Sequence, residues 1–514
     1  MPVSAETSEK AIAKARLAGE NADVVEIRVD ALEPSEIGRF LRIVRSDKPL
    51  LITYRPAEQG GYREISVEQR IEFWNGIDNA LDTSGMLFDR EGDISGRVTE
   101  QGNAVSIRSF HDFEGVPADL DAIYERLAAD GEFVKIAVSA KNITDAISVW
   151  KLLERAKAEN KQLIPIAMGE AGKWTRILGL AHGAFLTYAS LDAGSETADG
   201  QITAKEMVES YRVKELDENT KVFGIIGDPI SQSLSPRMHN AVFATLGINT
   251  VFIHLLVTDL DQFMRRMVLP ETREVELNFA GFAVTMPHKQ AIRKYLDTID
   301  PSAEEIGAVN TVKIEGGKLT GYNTDAYGFI TPLKERFGDL KNARVAVFGA
   351  GGSARAAVYE LKRCGAEVTV FARDVRKAET FANEFGVKYG EISNFRSEIS
   401  EAGEQSSQIG EQSPQVGEQD SKFDLSDFDI VVDSTSLGMA PENRSLFTAD
   451  QLSGVKFVYD LVTKSDDTPL IREAKKAGVP SLGGMEMLIA QGAKQFEILN
   501  GREAPVDLMR NSLI

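Results

Sequence analysis

Arg344-Val-Ala-Val-Phe-Gly349-Ala-Gly351-Gly352-Ser-Ala354-Arg355 reads as an apolar strand that turns through a glycine-rich loop into a helix ending near Arg363. The spacing Gly349, Gly351, Gly352, Ala354 fits the G-x-G-x-x-G/A pattern, in which glycines let a pyrophosphate approach the backbone. The free N–H groups and positive dipole end of the following helix then hold the phosphates. The next strand, Val368–Ala372, ends at Arg373-Asp374, with Lys377 close behind. A basic residue there suits the 2′-phosphate of NADP, and an acidic one suits the ribose of NAD. Arg373 and Lys377 favour NADP, whereas Asp374 argues for NAD.

Upstream of this unit, Val222–Ile226 reads as another strand, followed by the loop 227–236. Downstream, residues 400–422 repeat Gly-Glu-Gln at Gly403, Gly410 and Gly417 in a Gly-, Ser- and Gln-rich stretch. That composition predicts a flexible insertion and makes a poor coiled coil.

The first 210 or so residues alternate short apolar runs with helical patterns. The runs are Val24–Val29, Leu50–Tyr54, Met86–Asp89, Ala104–Phe110, Phe133–Ala137, Leu163–Met168 and Ala184–Leu186, with helices such as Asp119–Ala129 and Ile143–Ala158 between them. Such alternation implies parallel strands with crossover helices, and this length suits an α/β fold of the (β/α)8 barrel type. Eight strands are needed for closure. The first is either a short strand in the stub Met1–Ser4 or lies upstream of the given sequence.

In such a barrel the C-terminal strand ends converge on one pocket. Those ends carry Glu26, Arg28, Arg55, His111, Lys135, Met168-Gly-Glu170 and, further on, Arg176. Lys135 stands inside the apolar run Phe133-Val-Lys-Ile-Ala-Val138. A lysine there either snorkels to the surface or points into a polar pocket. In the second case burial and nearby arginines lower its pKa, and a neutral amine can attack a ketone to form an imine. His111 is either a loop residue or a proton shuttle with an unperturbed pKa of about 6.5.

Val25-Glu-Ile-Arg-Val-Asp30, Thr53-Tyr-Arg-Pro56 with Gly60-Gly61, Ser109-Phe-His111, Val134-Lys-Ile-Ala137, Met168-Gly-Glu170 and Thr175-Arg-Ile177 together resemble type I 3-dehydroquinate dehydratase across residues 1–212. The resemblance implies an imine at Lys135, proton transfer by His111, and substrate binding by Glu26, Arg28, Arg55, Arg176, Thr197 and Gln201. The sequence departs from that family at Gln59, where a glutamate usually supports the histidine, and at Thr197-Ala-Asp-Gly-Gln201, which replaces Ser-Ala-Pro-Gly-Gln.

Residues 221–514 resemble shikimate dehydrogenase. The motifs are Ser233-Leu-Ser-Pro236 with His239-Asn240, Val284-Thr-Met-Pro-His-Lys289, Gly307-Ala-Val-Asn-Thr311, Gly321-Tyr-Asn-Thr-Asp325, the glycine loop, Thr435-Ser-Leu-Gly-Met439 and Glu486-Met-Leu-Ile-Ala-Gln491. By that resemblance Ser233 and Ser235 bind a carboxylate, and Thr285, Asn310 and Gln491 hold ring hydroxyls. Lys289 and Asp325 form the catalytic pair, and Gly349, Gly351, Gly352, Ala354, Arg373, Lys377, Thr435 and Gly484 contact NADP. The departures are Ala372-Arg373-Asp374 for Asn-Arg-Thr, and Thr463 for a common tyrosine.

The implied domains are a dehydratase barrel over 1–214, a shikimate-binding domain over 221–325 completed by 485–514, and a Rossmann NADP domain over 326–484. The first implied product, 3-dehydroshikimate, is the second implied substrate, so the two resemblances reinforce each other. The other readings are an NAD-dependent quinate/shikimate dehydrogenase, and a barrel serving only as a scaffold.

The remaining composition sets the partners. The 514 residues carry 78 acidic and 58 basic side chains, a net charge of −20. Such acidity disfavours nucleic acid and anionic membranes. No apolar stretch approaches the roughly 20 residues of a membrane span, and the N-terminus lacks a signal-peptide pattern. The lone Cys364 suits a reducing compartment. The expectation is a cytoplasmic enzyme acting on small molecules.

Overall fold

Alternation along the N-terminal strands decides where their side chains go. In Val25–Arg28 the odd residues Val25 and Ile27 join an apolar cluster with Phe40, Ile52 and Trp74, while Glu26 and Arg28 face a pocket. A period of two forces this division. The computed structural model describes residues 1–77, 85–98, 104–390, 425–438 and 444–513. The stretch 400–422, read above as a flexible insertion, lies outside the described residues.

Two compact units are present: Met1–His288 with Ile314–Gly317, and Lys289–Lys313 with Lys318–Ile514. The first opens with seven strands: β1 (Pro2–Val3), β2 (Val25–Arg28), β3 (Leu50–Thr53), β4 (Leu87–Glu91), β5 (Val105–Asp112), β6 (Phe133–Ser139) and β7 (Gln162–Met168). They lie side by side in chain order and all pair parallel. This is the sheet of an α/β barrel. The stub does form a strand, pairing Pro2 with Glu26 and Val3 with Ile27.

The eighth strand expected at Ala184–Leu186 is not a ladder strand. Phe185 N–H donates to the Leu163 carbonyl. The next backbone groups turn elsewhere: Ser190 N–H bonds Ile202, and Ser190 C=O accepts from Ala204. Those bonds go to a local bridge between Ser190 and Thr203. The same unit continues with β8 (Lys221–Gly227), β9 (Thr250–Leu256) and β10 (Phe279–Val284), all parallel, with β8 in the middle.

The second unit holds a six-stranded parallel sheet: β11 (Arg344–Phe348), β12 (Glu367–Phe371), β13 (Lys388–Gly390), β14 (Ile430–Asp433), β15 (Phe457–Asp460) and β16 (Ser481–Gly483). Their order is β13-β12-β11-β14-β15-β16. The order reverses at β11, a doubly wound arrangement whose ligand crevice lies at the carboxyl end of the central strands. Val345, Val347, Val370, Ile430 and Val432 are buried together with Ala354, Ala357 and Leu361 of the helix Gly352–Arg363.

Candidate active sites

Strand ends β2 to β7 bring Glu26, Arg28, His111, Lys135, Ala137 and Met168 to one pocket, together with Arg55, Arg176, Tyr188, Thr197 and Gln201. Every barrel residue to which the resemblance gives a role is among them, whereas Glu170, read at the same strand ends, pairs with Lys173 instead. Lys135 is 3% exposed. Its Nζ donates to Asp89 Oδ2 at 2.8 Å and to the Tyr188 hydroxyl at 3.0 Å. Arg55 donates to the same Asp89 oxygen at 2.6 Å and to Glu91 Oε1 at 3.2 Å. Arg28 grips Asp30 through two nitrogens, at 3.1 and 2.7 Å. The Thr53 hydroxyl donates to Glu26 Oε1 at 2.6 Å.

Burial sets the protonation states. It lowers the Lys135 amine below the usual lysine range, against the opposing charge of Asp89. It also lowers His111 well below 6.5, aided by Arg55 and Lys135, so the ring is neutral. Both ring nitrogens of His111 are sequestered with no protein partner. Burial alone would raise Asp89, but Lys135 and Arg55 outweigh it and hold that carboxylate ionised. Burial pushes Glu91 up to about 7, with Arg55 opposing.

Arg176 is 1% exposed. Its Nη2 reaches only the Asp199 carbonyl at 3.5 Å, and Nε and Nη1 have no partner. Burial lowers it to about 10, which still leaves a cation at neutral pH. A buried guanidinium without a carboxylate is costly unless a ligand supplies one. Gln201 and Thr197 tie the loop above the pocket through two bonds, at 2.9 and 3.1 Å. Gln59 does not serve His111, whose ring nitrogens have no protein partner; the Gln59 side chain lies beside Asp93 and helps to lower that carboxyl.

Asp89, Glu91 and Tyr188 were missed in the sequence. The alternation in Leu87-Phe-Asp-Arg-Glu91 carries a signal for the first two, since Asp89 and Glu91 share a face. Tyr188 lies in the segment that forms no ladder strand, so no period marks it.

In the first unit, the loop after β8 carries Ser233, and Ser235 opens the helix Ser235–Leu246. Ser235 N–H donates to Ser233 Oγ at 3.3 Å. Thr285 follows β10, its N–H bonded to the Ile226 carbonyl at 2.9 Å.

In the second unit, Lys289 Nζ donates to Asp325 Oδ2 at 2.6 Å. Asn310 Nδ2 donates to Asp325 Oδ1 at 2.8 Å, to Thr324 Oγ1 at 3.0 Å and to Gln491 Oε1 at 3.4 Å. The Thr311 hydroxyl donates to Asn310 Oδ1 and accepts from Gln495 Nε2 at 2.9 Å. The predicted residues Lys289, Asp325, Asn310 and Gln491 therefore form one network. Thr324 and Gln495 are additions that the sequence did not single out.

The glycine loop fits a dinucleotide. Gly349 has φ +113°, and a Cβ there would lie 2.4 Å from Ser434 Oγ. A Cβ on Gly351 would meet nothing within 4 Å, and one on Gly352 would lie 2.8 Å from Lys289 Cδ. No side chain caps the helix Gly352–Arg363, so its first N–H groups are available to an anion. Ala354 is fully buried. Arg373 and Lys377 are exposed. Asp374 caps its helix through the Arg376 N–H at 3.0 Å. Thr435 N–H donates to Asp433 Oδ1 at 2.8 Å. Gly484 is held by close packing, since a Cβ would meet the Leu461 carbonyl at 2.4 Å.

The fold and sites thus define an amine-bearing α/β barrel joined to a dinucleotide-dependent oxidoreductase. Residues 1–218 match the type I 3-dehydroquinase family. Residues 225–312 match the shikimate dehydrogenase substrate binding domain, 332–422 shikimate/quinate 5-dehydrogenase, and 484–514 the shikimate 5′-dehydrogenase C-terminal domain. The chloroplastic bifunctional 3-dehydroquinate dehydratase/shikimate dehydrogenase of Arabidopsis thaliana is 31% identical, the match covering 99% of this chain and 82% of that protein. The NADP(+) shikimate dehydrogenase of Methanopyrus kandleri is 38% identical over 58% of this chain and 97% of its own length. The solved shikimate dehydrogenase of Aquifex aeolicus is 31% identical, covers 58% of this chain and 99% of its own, and has a TM-score of 0.47. The chain belongs to the family of bifunctional 3-dehydroquinate dehydratase/shikimate dehydrogenases.

Proposed function

We propose that Lys135 is the imine-forming amine and His111 the proton shuttle of the first reaction, and that Lys289 and Asp325 handle the proton of the second. The chain is a bifunctional shikimate-pathway enzyme: it dehydrates 3-dehydroquinate to 3-dehydroshikimate and reduces that product to shikimate with NADPH.

The first reaction rests on the burial of Lys135 among Asp89, Tyr188 and Arg55. Its neutral amine attacks the ketone, and water leaves as the iminium forms. Neutral His111 removes a proton from the adjacent carbon, and the iminium accepts the electron pair. The histidinium then gives its proton to the departing hydroxyl, which leaves as water. Hydrolysis of the iminium frees Lys135. Arg176 receives the substrate carboxylate, while Glu26, Arg28, Arg55, Thr197 and Gln201 hold its hydroxyls and close the loop over it.

NADPH, when bound, supplies a hydride to the carbonyl carbon. Lys289 gives a proton to the oxygen as negative charge builds there, and Asp325 holds the ammonium in place. Ser233 and Ser235 bind the carboxylate, and Thr285, Asn310 and Gln491 bind the ring oxygens. Gly349, Gly351, Gly352, Ala354, Thr435 and Gly484 shape the dinucleotide site. Arg373 and Lys377 are assigned to the 2′-phosphate. One oxygen of the Asp374 carboxylate caps its own helix.

These assignments imply domains at 1–214, 221–325 with 485–514, and 326–484. The partners are small molecules rather than nucleic acid or membrane. Among the described residues no helix is long and apolar enough to cross a membrane. The single cysteine supports a cytoplasmic setting.

Borohydride added with dehydroquinate tests the core of this reading. A reduced adduct on Lys135 is expected, and its absence during turnover overturns the imine mechanism.

A further inference from the structure

We infer that Tyr211 and His254 are positioning residues for the dehydrogenase reaction, holding the loop that presents Ser233 to the shikimate carboxylate. This rests on the reading of Ser233 given above. His254 lies on β9 and is half-buried; its Nε2 is 2.9 Å from the Ser233 carbonyl oxygen. Its Nδ1 is 3.1 Å from the Tyr211 hydroxyl. A carbonyl can only accept, so Nε2 carries the proton and donates to Ser233. Nδ1 of the neutral ring then accepts from Tyr211, whose hydroxyl also lies beside the Glu206 carboxylate. Burial lowers the His254 pKa, in keeping with a neutral ring.

Tyr211 is 2% exposed and directly follows the helical turn Glu206–Ser210, at the end of the region matched to the dehydratase family. Its neighbour Arg212 donates to the Thr250 carbonyl at 2.9 Å, at the start of β9, and to the Ile248 carbonyl at 3.4 Å, just before it. Two consecutive residues at the dehydratase end thus fasten β9, and β9 fastens the Ser233 backbone. Ser233 Oγ in turn accepts from Ser235 N–H, so a displaced Ser233 carbonyl would disturb both serines. The end of one catalytic module sets a binding loop of the next.

The test uses the full chain with Tyr211→Phe, His254→Leu, His254→Gln and Ser233→Ala. For each, kcat and KM are measured for shikimate and NADP, with dehydratase activity and melting temperature as controls on folding. One lost buried hydrogen bond corresponds to roughly 3- to 10-fold in affinity. The KM for shikimate should therefore rise by about that factor in His254→Leu and somewhat less in Tyr211→Phe. The kcat, the KM for NADP and the dehydratase rate should hold. His254→Gln, which keeps an N–H donor, should recover most of the affinity. If His254→Leu melts early, Tyr211→Phe, which loses one oxygen, carries the test. A normal shikimate KM in Tyr211→Phe and His254→Leu, alongside a raised one in Ser233→Ala, overturns the inference. So does equal damage in His254→Leu and His254→Gln. An unchanged KM in Ser233→Ala overturns the carboxylate reading beneath it.

Discussion

Each half of the chain sets a lysine against an aspartate, and the two pairs are proposed to do different work. Lys135 stands 2.8 Å from Asp89 and Lys289 stands 2.6 Å from Asp325. The difference lies in what surrounds them. Lys135 projects from a strand of the barrel sheet into a buried pocket beside Arg55, where burial lowers its pKa, as the proposed nucleophile requires. The side chain of Lys289 is 16% exposed. It leaves a loop next to the glycine turn, where an ammonium can give a proton to a developing alkoxide. On the proposed assignments, the same ion pair serves as a nucleophile store in one setting and a proton donor in the other.

Exchanging or deleting the lysines tests that contrast most severely. Lys135→Met should reduce dehydratase activity to background and leave the reduction of supplied dehydroshikimate intact. Lys289→Met should lower dehydrogenase kcat by about 10²–10⁴-fold, the range for a lost general acid, with the dehydratase unaffected. If either variant stops both reactions, the two sites are not independent.

A smaller effect is expected at Arg176. Removing a charge-assisted bond costs about 1.5–3 kcal/mol. Arg176→Gln should therefore lower dehydratase kcat/KM by roughly 10- to 150-fold, mainly through KM. A normal KM would place the carboxylate elsewhere.

His111 sharpens the comparison through pH. Its pKa is pushed down, so the neutral base persists below 6.5. Dehydratase kcat, which reads the complex after Lys135 has reacted, should stay nearly level from pH 7.5 down to 6. A half-loss near 6.5 would show that His111 titrates as an ordinary histidine.

The smallest effect concerns buried acids. In the barrel, Lys135 and Arg55 keep Asp89 ionised. In the Rossmann sheet, Asp433 and Asp460 lie in register on neighbouring strands. Burial, then Asp460, raises Asp433 to about 7. Folded Asp433 therefore holds a proton that the unfolded chain releases near 3.8. Its contribution is fully present below that value and is lost as pH rises to about 7. Asp433→Asn should melt a few °C higher than the parent at pH 8, with the gap shrinking toward pH 4. Equal melting curves at pH 8 would mean Asp433 is ionised in the fold at little cost.

Much of this was legible in the chain. The period of two around Lys135, and the strand–glycine–helix run at 344–363, each name a fold because backbone geometry maps directly onto sequence spacing. The charges on β4 carry the same signal, though only their alternation reveals it. The eighth barrel strand read at Ala184–Leu186 failed for a local reason, since Ala184 N–H bonds back to Gly179 and the chain then pairs through Ser190 with residues 202–204. Gln59 could not be placed by sequence, because whether it serves His111 or Asp93 depends on how its loop folds back.

The sequence by itself determined the two α/β folds and the family, and it named most of the side chains that the two candidate sites bring together, because these follow from periodicity and from motifs of fixed local geometry. Only the tertiary structure decided the protonation states and the partners: the depressed Lys135 and His111, the unpaired Arg176, the Asp374 cap, and the chain of bonds from Tyr211 through His254 to Ser233. Those depend on burial and on contacts between distant residues, and neither quantity is written in any short stretch of chain.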